Sequence, residues 1–411
     1  MNSTNATRTK QPEQRIQARP GAFALGKFFG IPIYVDLSWL LIFVLITMII
    51  LSEFAVLHPQ WAPVQSWIAG VVTSLLFFLC VVLHEMGHSL VARRFGIPVA
   101  SITLFVFGGV SQIRRDPDKP SHEFLIAIAG PLTSVILAIL CFLLAGPDVA
   151  QAWFVAAQAK TPPEAAAAMG TISMFRTICI WLAWINLMLA IFNLIPGFPL
   201  DGGRVLRSIV WRVTGQLDLA TRVAAGFGSF VAYFLIAFGI YLAFFQHMLV
   251  NGLWIAFIGW FLLTAARSSV VQMVTRRAFA GHRVADIIEP IPYRVLPGMS
   301  VQTLVDGPIL QYGHTSFVVE DNGVLRGVVT LHEVKTTPRE DWAVTPLQSI
   351  MVPVSDLVVV EPQVPLQTVM QTMDERGISQ MAVVEGDRVL GLVTRDGLLR
   401  VLRNAMELGL R

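Results

Sequence analysis

The chain is too apolar for an ordinary soluble enzyme. Of its 411 residues, 55% are hydrophobic and only 14% are charged, and the mean hydropathy is +0.64. The net charge of +3 comes from basic residues scattered between apolar runs. Since nucleic acid requires a basic face interleaved with aromatic residues, no nucleic-acid partner is predicted. The apolar excess lies between about residues 38 and 267, which predicts a membrane domain followed by a soluble domain.

Six segments are long and apolar enough to span a membrane, because about 20 apolar residues in a helix cross a hydrocarbon core of roughly 30 Å. The first begins well inside the chain, after a polar tail, so an uncleaved anchor is predicted rather than a cleaved signal peptide. The six segments cover approximately residues 37–55, 67–92, 124–145, 172–195, 224–245 and 249–266.

The distribution of Lys and Arg predicts the orientation of these segments. Basic residues are concentrated in the N-terminal tail and after the second, fourth and sixth segments, whereas the opposite loops carry little beyond Lys160. By the positive-inside rule, both termini are predicted to be cytoplasmic, and we expect the cell membrane of a prokaryote. Arg204 and Arg207 could contact substrate, but their position beside a span favours a role as anchors at the membrane interface.

The second segment ends in the sequence His84-Glu85-Met86-Gly87-His88, an H-E-x-x-H pattern. Two histidines four residues apart share one helical face and can hold one zinc ion, and Glu85 then lies beside the metal, where it can take a proton from a bound water. The alternative is a surface helix with two solvated histidines. It is disfavoured because polar side chains within apolar sequence are costly unless they are used.

A catalytic zinc has three protein ligands and one open position, so a third ligand must come from elsewhere in the chain. The fourth segment continues into residues 192–203, which read FNLIPGFPLDGG, and Asp201 is the obvious candidate. The predicted topology brings both motifs to the cytoplasmic side at one membrane depth. An N-cap role of Asp201, for a helix starting near Gly202, is the alternative.

These two motifs together resemble the site-2 protease family of intramembrane zinc metalloproteases, and the resemblance runs from about residue 23 to 267. It implies one zinc per chain bound by His84, His88 and Asp201, with Glu85 as the general base and acid. It also implies that Asn193 helps to position the substrate, a transmembrane protein cut within or near its membrane segment in regulated intramembrane proteolysis. Membrane lipid is a further expected partner.

Residues 96–113 alternate imperfectly between apolar and polar side chains, with Gly108-Gly109 near the end, and therefore predict a short membrane-associated β hairpin. Backbone that is not helical survives at membrane depth only where it lines a cavity or packs on protein. One interpretation is that an edge of the hairpin pairs with an unwound substrate strand. The other is a hairpin that only plugs the cytoplasmic mouth.

The soluble part contains two similar stretches about 64 residues apart and resembles a tandem pair of CBS domains. Relatives often bind adenine nucleotides through a G-x-x-T/S-x-x-D signature, which makes Thr330, Thr394 and Asp396 candidate nucleotide-binding residues. Glu333 and Gly397 stand at the acid position of the two copies. The alternative is a dimerisation or docking module without a ligand, and the resemblance suggests a homodimer.

The sequence thus predicts a polytopic α-helical membrane protein followed by a cytoplasmic α/β CBS-pair domain that regulates proteolysis. A CBS-regulated transporter or channel is the competing function; it accounts for the spans and the tail but not for the paired metal motifs. The predicted divisions are a flexible cytoplasmic tail (1–22), a transmembrane zinc metalloprotease domain (23–270), a linker (271–282) and the tandem CBS domains (283–411, with copies at about 283–337 and 345–403).

Overall fold

The computed structural model divides the chain into two compact units, Met1–Val270 and Val271–Arg411. The predicted flexible tail, apart from Ala22, lies outside the residues that the structure describes. The described residues are 22–106, 108–113, 115–290, 294–313, 316–321, 324–353, 357–385 and 388–407.

Within these described ranges, six helices are long and apolar enough to cross a membrane, as the sequence predicts. The last of them continues to Phe279, so it includes most of the residues predicted as a linker. Proline in the first turn of the second and third helices presets a helical φ where no hydrogen-bond donor is needed. The six are α1 (Ser38–Leu57), α2 (Pro63–Arg94), α3 (Pro120–Ala145), α6 (Met174–Asn193), α8 (Leu217–Phe245) and α9 (Leu249–Phe279).

The described part of this unit also contains three shorter helices. Helices α4 (Pro147–Gln158) and α5 (Pro162–Met169) lie between α3 and α6, in a region for which the sequence predicted no span. Helix α7 (Asp201–Thr214) follows α6 and ends before Gly215, whose φ of +71° is the left-handed conformation that suits glycine after a helix. Helix α3 packs against α2, α6 and α7, so it is the element around which the metal-ligating motifs assemble.

A four-stranded sheet accompanies the helices, in the order β1 (Ala22–Phe28), β2 (Ile31–Asp36), β3 (Val99–Phe105) and β4 (Gly108–Ile113). The last two strands form a hairpin where one was predicted, and its association with the membrane stays a prediction. The first two form a second hairpin, and β2 pairs with β3 in parallel, which the sequence analysis did not predict. Side chains of β2 and β3 pack on Val81 and Val82 of α2, so the sheet is fixed one turn from the H-E-x-x-H motif.

The second unit has two four-stranded sheets with matching registers. Ser316 lies opposite Thr330 in one sheet and Gln380 opposite Thr394 in the other, each 64 residues further along the chain. The helices and strands described in this unit are β5 (Glu289–Pro290), β6 (Arg294–Val295), α10 (Val301–Leu304), α11 (Leu310–Tyr312), β7 (Ser316–Asp321), β8 (Val324–Thr330), α12 (Leu331–Thr336), β9 (Val352–Pro353), β10 (Val359–Val360), α13 (Leu366–Arg376), β11 (Gln380–Glu385), β12 (Arg388–Thr394) and α14 (Arg395–Glu407). The sheets have the orders β6-β7-β8-β9 and β10-β11-β12-β5.

Each sheet of the second unit receives a short strand from the other half of the repeat. Strand β5 pairs with β12, and β9 pairs with β8, so the halves are interlocked by exchanged strands. Val318 and Val328 from one sheet pack on Ala382 and Leu392 from the other, which closes a shared apolar layer between the two halves.

Candidate metal centre

His84 and His88 lie one turn apart near the end of α2, and both are buried, with 4% and 3% of their surfaces exposed. The surrounding residues of α2 are apolar, so the helix brings two imidazoles into the helical bundle. A buried pair of this kind contradicts the alternative of two solvated histidines on a surface helix.

Asp201 meets both histidines at one point. Its Oδ2 lies 3.1 Å from Nε2 of His84 and 3.1 Å from Nε2 of His88, and the two Nε2 atoms are 3.3 Å apart. Zinc bonds of 2.0–2.1 Å at tetrahedral angles place ligand atoms roughly 3.3 Å from one another. The three donor atoms therefore have the spacing that one zinc ion requires.

Hydrogen bonds on the far side of each ring set its orientation. Nδ1 of His88 donates to the backbone carbonyl of Ile126 over 2.7 Å, and Nδ1 of His84 lies 2.9 Å from Oγ of Ser134. Because a carbonyl only accepts, the proton of neutral His88 is on Nδ1, and the lone pair of Nε2 points at the site. This is the arrangement of a metal-ligating histidine.

Gly130 of α3 leaves the space in which the donor atoms meet. A Cβ atom at this position would lie 2.1 Å from Nε2 of His88 and 2.6 Å from Nε2 of His84. Gly87 on α2 faces α3 in the same region, and a Cβ there would come within 2.9 Å of the Ala129 carbonyl oxygen. Glycine on both helices therefore allows the close approach that keeps the site open.

Asp201 is the first residue of α7, and its position depends on the two glycines that follow it. A Cβ on Gly202 would lie 2.3 Å from the carbonyl oxygens of Leu194 and Ile195, so the loop after α6 folds tightly beneath the start of α7. The N-cap residue is Leu200, and no side chain caps the helix. The N-cap interpretation of Asp201 is therefore wrong, because its carboxylate faces the histidines instead.

A buried ion pair attaches α7 to α3 beside the metal centre. Nε of Arg207 donates to Oε1 of Glu123 over 2.6 Å; Glu123 is fully buried and the Arg207 side chain is 14% exposed. The guanidinium also lies over the ring of Phe198, 5.2 Å from its centroid. The predicted interface-anchor role is therefore wrong for Arg207, which instead joins two helices inside the protein.

Glu85 is half-buried and lies under the β3–β4 hairpin. Its Oε2 accepts a hydrogen bond from the backbone N–H of Ser111 over 3.0 Å. A Cβ on Gly109 would lie 2.7 Å from Cγ of Glu85, so glycine lets β4 lie directly on the glutamate side chain. The strand thus holds the carboxylate beside the two histidines of the same helix.

The other predicted site residues have local contacts. Asn193 donates from Nδ2 to the carbonyl of Leu189 within α6, over 3.0 Å. Thr330 caps α12, its Oγ1 accepting from the N–H of His332, and Oγ1 of Thr394 accepts from the N–H of Gly397 in the first turn of α14. Substrate positioning by Asn193 and nucleotide binding by Thr330, Thr394 and Asp396 stay predictions.

Sequence reasoning did not find the residues that orient the ligands. Ser134 and the Ile126 carbonyl lie on α3, about 40 to 50 residues from the histidines they contact. The available signal was Gly130, since a glycine followed by Pro131 inside an apolar helix usually marks a close approach.

The site combines two buried histidines one turn apart, a carboxylate at the same point, and a glutamate fixed beside them. These features define a metal-dependent hydrolase whose site lies among membrane-spanning helices. Residues 72–242 match Peptidase family M50, and residues 284–338 and 347–404 match the CBS domain. The chain belongs to this family, the site-2 proteases, and it is an integral membrane zinc metalloprotease with a tandem CBS pair. The predicted resemblance and enzyme class are confirmed.

Relatives match along nearly the whole chain. The chain is 34% identical over 390 residues to "Putative zinc metalloprotease sll0528" of Synechocystis sp., covering 93% of this chain and 95% of the relative. It is 29% identical to "Zinc metalloprotease MJ0392" of Methanocaldococcus jannaschii, covering 92% and 95%. The solved site-2 protease from Methanocaldococcus jannaschii is 27% identical, with a TM-score of 0.38, and covers 61% of this chain and 95% of that one.

Proposed function

We propose that the chain hydrolyses a peptide bond within or near a transmembrane segment of a membrane protein, in regulated intramembrane proteolysis. His84, His88 and Asp201 would hold one zinc ion. The observation that carries the proposal is the meeting of their three donor atoms at mutual distances of 3.1–3.3 Å, inside the helical bundle. The family membership supports zinc as the metal.

Zinc, when bound, polarises the scissile carbonyl and acidifies a water molecule. Glu85 accepts the proton of the attacking water and later delivers a proton to the leaving amine. The N–H of Ser111 keeps one oxygen of Glu85 in place, which leaves the other free to face the reacting atoms. Ser134 and the Ile126 carbonyl keep both imidazoles aimed at the same point.

Substrate entry would use the exposed edge of the hairpin. Strand β4 is an edge strand, and the N–H of Ser111 points away from β3 toward Glu85. Gly109, two residues earlier, has its backbone groups on the same outer edge. A substrate strand pairing there would present its carbonyls next to Glu85, with Asn193 helping to position it. The alternative, a hairpin that only plugs the site, predicts that edge substitutions leave cleavage intact.

The soluble unit would regulate access to the site from the cytoplasm. The distribution of Lys and Arg supports a cytoplasmic location of both termini. The cell membrane of a prokaryote stays the expected location. The CBS pair would act through dimerisation or through an adenine nucleotide held by Thr330, Thr394 and Asp396. Membrane lipid around the spans is a further expected partner.

The deciding experiment measures zinc content and cleavage in parallel for the purified full chain. Asp201→Ala and His84→Ala should lose both about one equivalent of zinc and cleavage of single-span substrates. Glu85→Gln should keep zinc and lose nearly all cleavage, whereas Glu361→Gln, an exposed carboxylate in the second unit, should lose neither. Well-folded wild-type protein without zinc would contradict the proposal, and zinc-loaded Glu85→Gln that still cleaves would remove Glu85 from the mechanism.

A further inference from the structure

A cavity of about 450 Å³ lies at the end of α1, between α4 and α5. Its lining includes Leu57, the last residue of α1, and α2 begins only six residues later, at Pro63. From Pro63 to His84 the helix rises about 30 Å. The cavity is therefore far from the metal centre, near the opposite end of the spans, and proteolysis gives it no role.

Glu53 is the feature that sets this cavity apart. It is a carboxylate inside the apolar helix α1, and it lines both this cavity and an adjoining one of about 340 Å³. Nε1 of Trp181 donates to its Oε2 over 3.1 Å. Among the described residues, its other oxygen has no hydrogen-bond partner, and the carboxylate has no ion pair. An ionisable side chain within a span normally has a charged partner, and the described residues supply Glu53 only with the Trp181 N–H.

The walls around Glu53 suit a positive charge. Trp153 lines both cavities, and Trp181 and Trp184 line the second. The faces of indole rings attract ammonium groups, more strongly where water is excluded. A carboxylate that shares its cavities with Trp153 and Trp184 is therefore suited to an organic ammonium ion.

A cation lines the same cavity. The exposed side chain of Lys160 contributes to the first cavity, next to the hydroxyl of Thr161. Lys160 forms no ion pair within the described part of the chain. An ammonium beside Glu53 and a phosphate beside Lys160 would satisfy both charges, and both groups occur together in a zwitterionic phospholipid headgroup.

We propose that these adjoining cavities bind the headgroup of a phospholipid that carries a primary ammonium. Glu53 and the indole faces hold the ammonium, and Lys160 holds the phosphate. A lipid fits better than a soluble zwitterion, because the rim is apolar and open: Trp184 is 50% exposed and Phe154 66% exposed on the outer surface of the helices. Acyl chains can lie on this surface, and the end of α1 is the depth at which headgroups are found.

Native mass spectrometry of the delipidated full chain tests the proposal. The probes are phosphatidylethanolamine, phosphatidylglycerol, which has the phosphate but no ammonium, and soluble phosphoethanolamine. We expect one phosphatidylethanolamine bound about tenfold more tightly than phosphatidylglycerol. Glu53→Gln should remove that preference, and Lys160→Gln should weaken both lipids. The matched controls Glu361→Gln and Lys335→Gln, exposed in the second unit, should change neither.

If Glu53→Gln does not fold, Trp184→Leu provides a second test. Trp184 is half-exposed, so its replacement should be tolerated, and it should weaken the binding of phosphatidylethanolamine alone. Equal affinity for the two lipids, or an unchanged preference in Glu53→Gln, would overturn the proposal. Soluble phosphoethanolamine bound as tightly as the lipid would overturn the assignment to a membrane lipid. Zinc content and proteolysis are separate measurements, so either proposal can fail without the other.

Discussion

The backbone N–H of Ser111, in strand β4, donates a hydrogen bond of 3.0 Å to Oε2 of Glu85, in helix α2. The proposed general base is therefore held by main chain from a separate element, and the side chain of residue 111 takes no part in the bond. Because β4 is an edge strand, this N–H is not needed for pairing with β3.

Ser111→Pro should lower the rate of cleavage without removing zinc. Proline removes the one backbone donor to Glu85, and a hydrogen bond to a charged group contributes about 1.5–3 kcal/mol, so we expect kcat to fall roughly 10- to 100-fold. Ser111→Ala keeps the N–H and should cleave like the wild type. Single-turnover cleavage and zinc content of the two variants provide the comparison. Full activity in Ser111→Pro would show that this bond does not orient the base.

Gly130→Ala should abolish zinc binding. The new methyl group would lie 2.1 Å from Nε2 of His88, in the space where the three donor atoms meet. The matched control is Gly226→Ala in α8, since a Cβ there meets no atom within 4 Å. Zinc content and cleavage should be lost in the first variant and kept in the second. One equivalent of zinc in Gly130→Ala would mean that the metal binds elsewhere.

The spans and the pairing of His84 with His88 on one helical face could be predicted because their signals are local. Twenty apolar residues predict a membrane helix without further information, and two histidines four residues apart must share a helical face. Asp201 was found by topology, since both motifs fall on one side of the predicted membrane. The 64-residue repeat was visible because paired strands recur in the same order, and the registers at Thr330 and Thr394 agree with it.

What could not be predicted depends on contacts between distant parts of the chain. The parallel pairing of β2 with β3 joins Ile33 to Ile102, and nothing in either strand specifies the partner. Arg207 was predicted to be an interface anchor from its position beside a span. Its pairing with Glu123 could not be predicted, because it depends on how α7 docks against α3. Hydrophobic periodicity reports which face of an element is buried, but not which element covers it.

Arg207→Met should destabilise the first unit and weaken zinc binding. It would leave the carboxylate of Glu123 buried without its partner, and breaking a buried pair costs about 3–5 kcal/mol. Because Asp201 lies on the same helix as Arg207, loosening α7 also moves a proposed ligand. The double variant Glu123→Gln with Arg207→Met should recover part of the lost stability, since neither charge of this pair remains.

The control for this pair is Arg115→Met. Arg115 pairs with Asp118 on the surface, with side chains 59% and 66% exposed, and such pairs contribute at most about 1 kcal/mol. Thermal unfolding and zinc titration of the purified full chain should therefore separate the two single variants clearly. Equal stability of Arg207→Met and Arg115→Met would show that the Glu123 pair does not hold α7 in place.

Thr330→Ala should loosen helix α12 in the full chain. Oγ1 of Thr330 accepts from the N–H of His332, and Glu333 Oε2 accepts from the N–H of Thr330, which together form a capping box. Losing such a cap costs about 1 kcal/mol, so amide hydrogens of α12 should exchange about fivefold faster. Thr330→Ser keeps the hydroxyl and should restore the wild-type rate. The control is Thr336→Ala, later in the same helix: it removes a donor to the Glu333 carbonyl, but that carbonyl still accepts from Oγ1 of Thr337. Equal exchange in Thr330→Ala and Thr336→Ala would rule out the capping role, and would leave nucleotide binding as the function of the Thr330 hydroxyl to be tested.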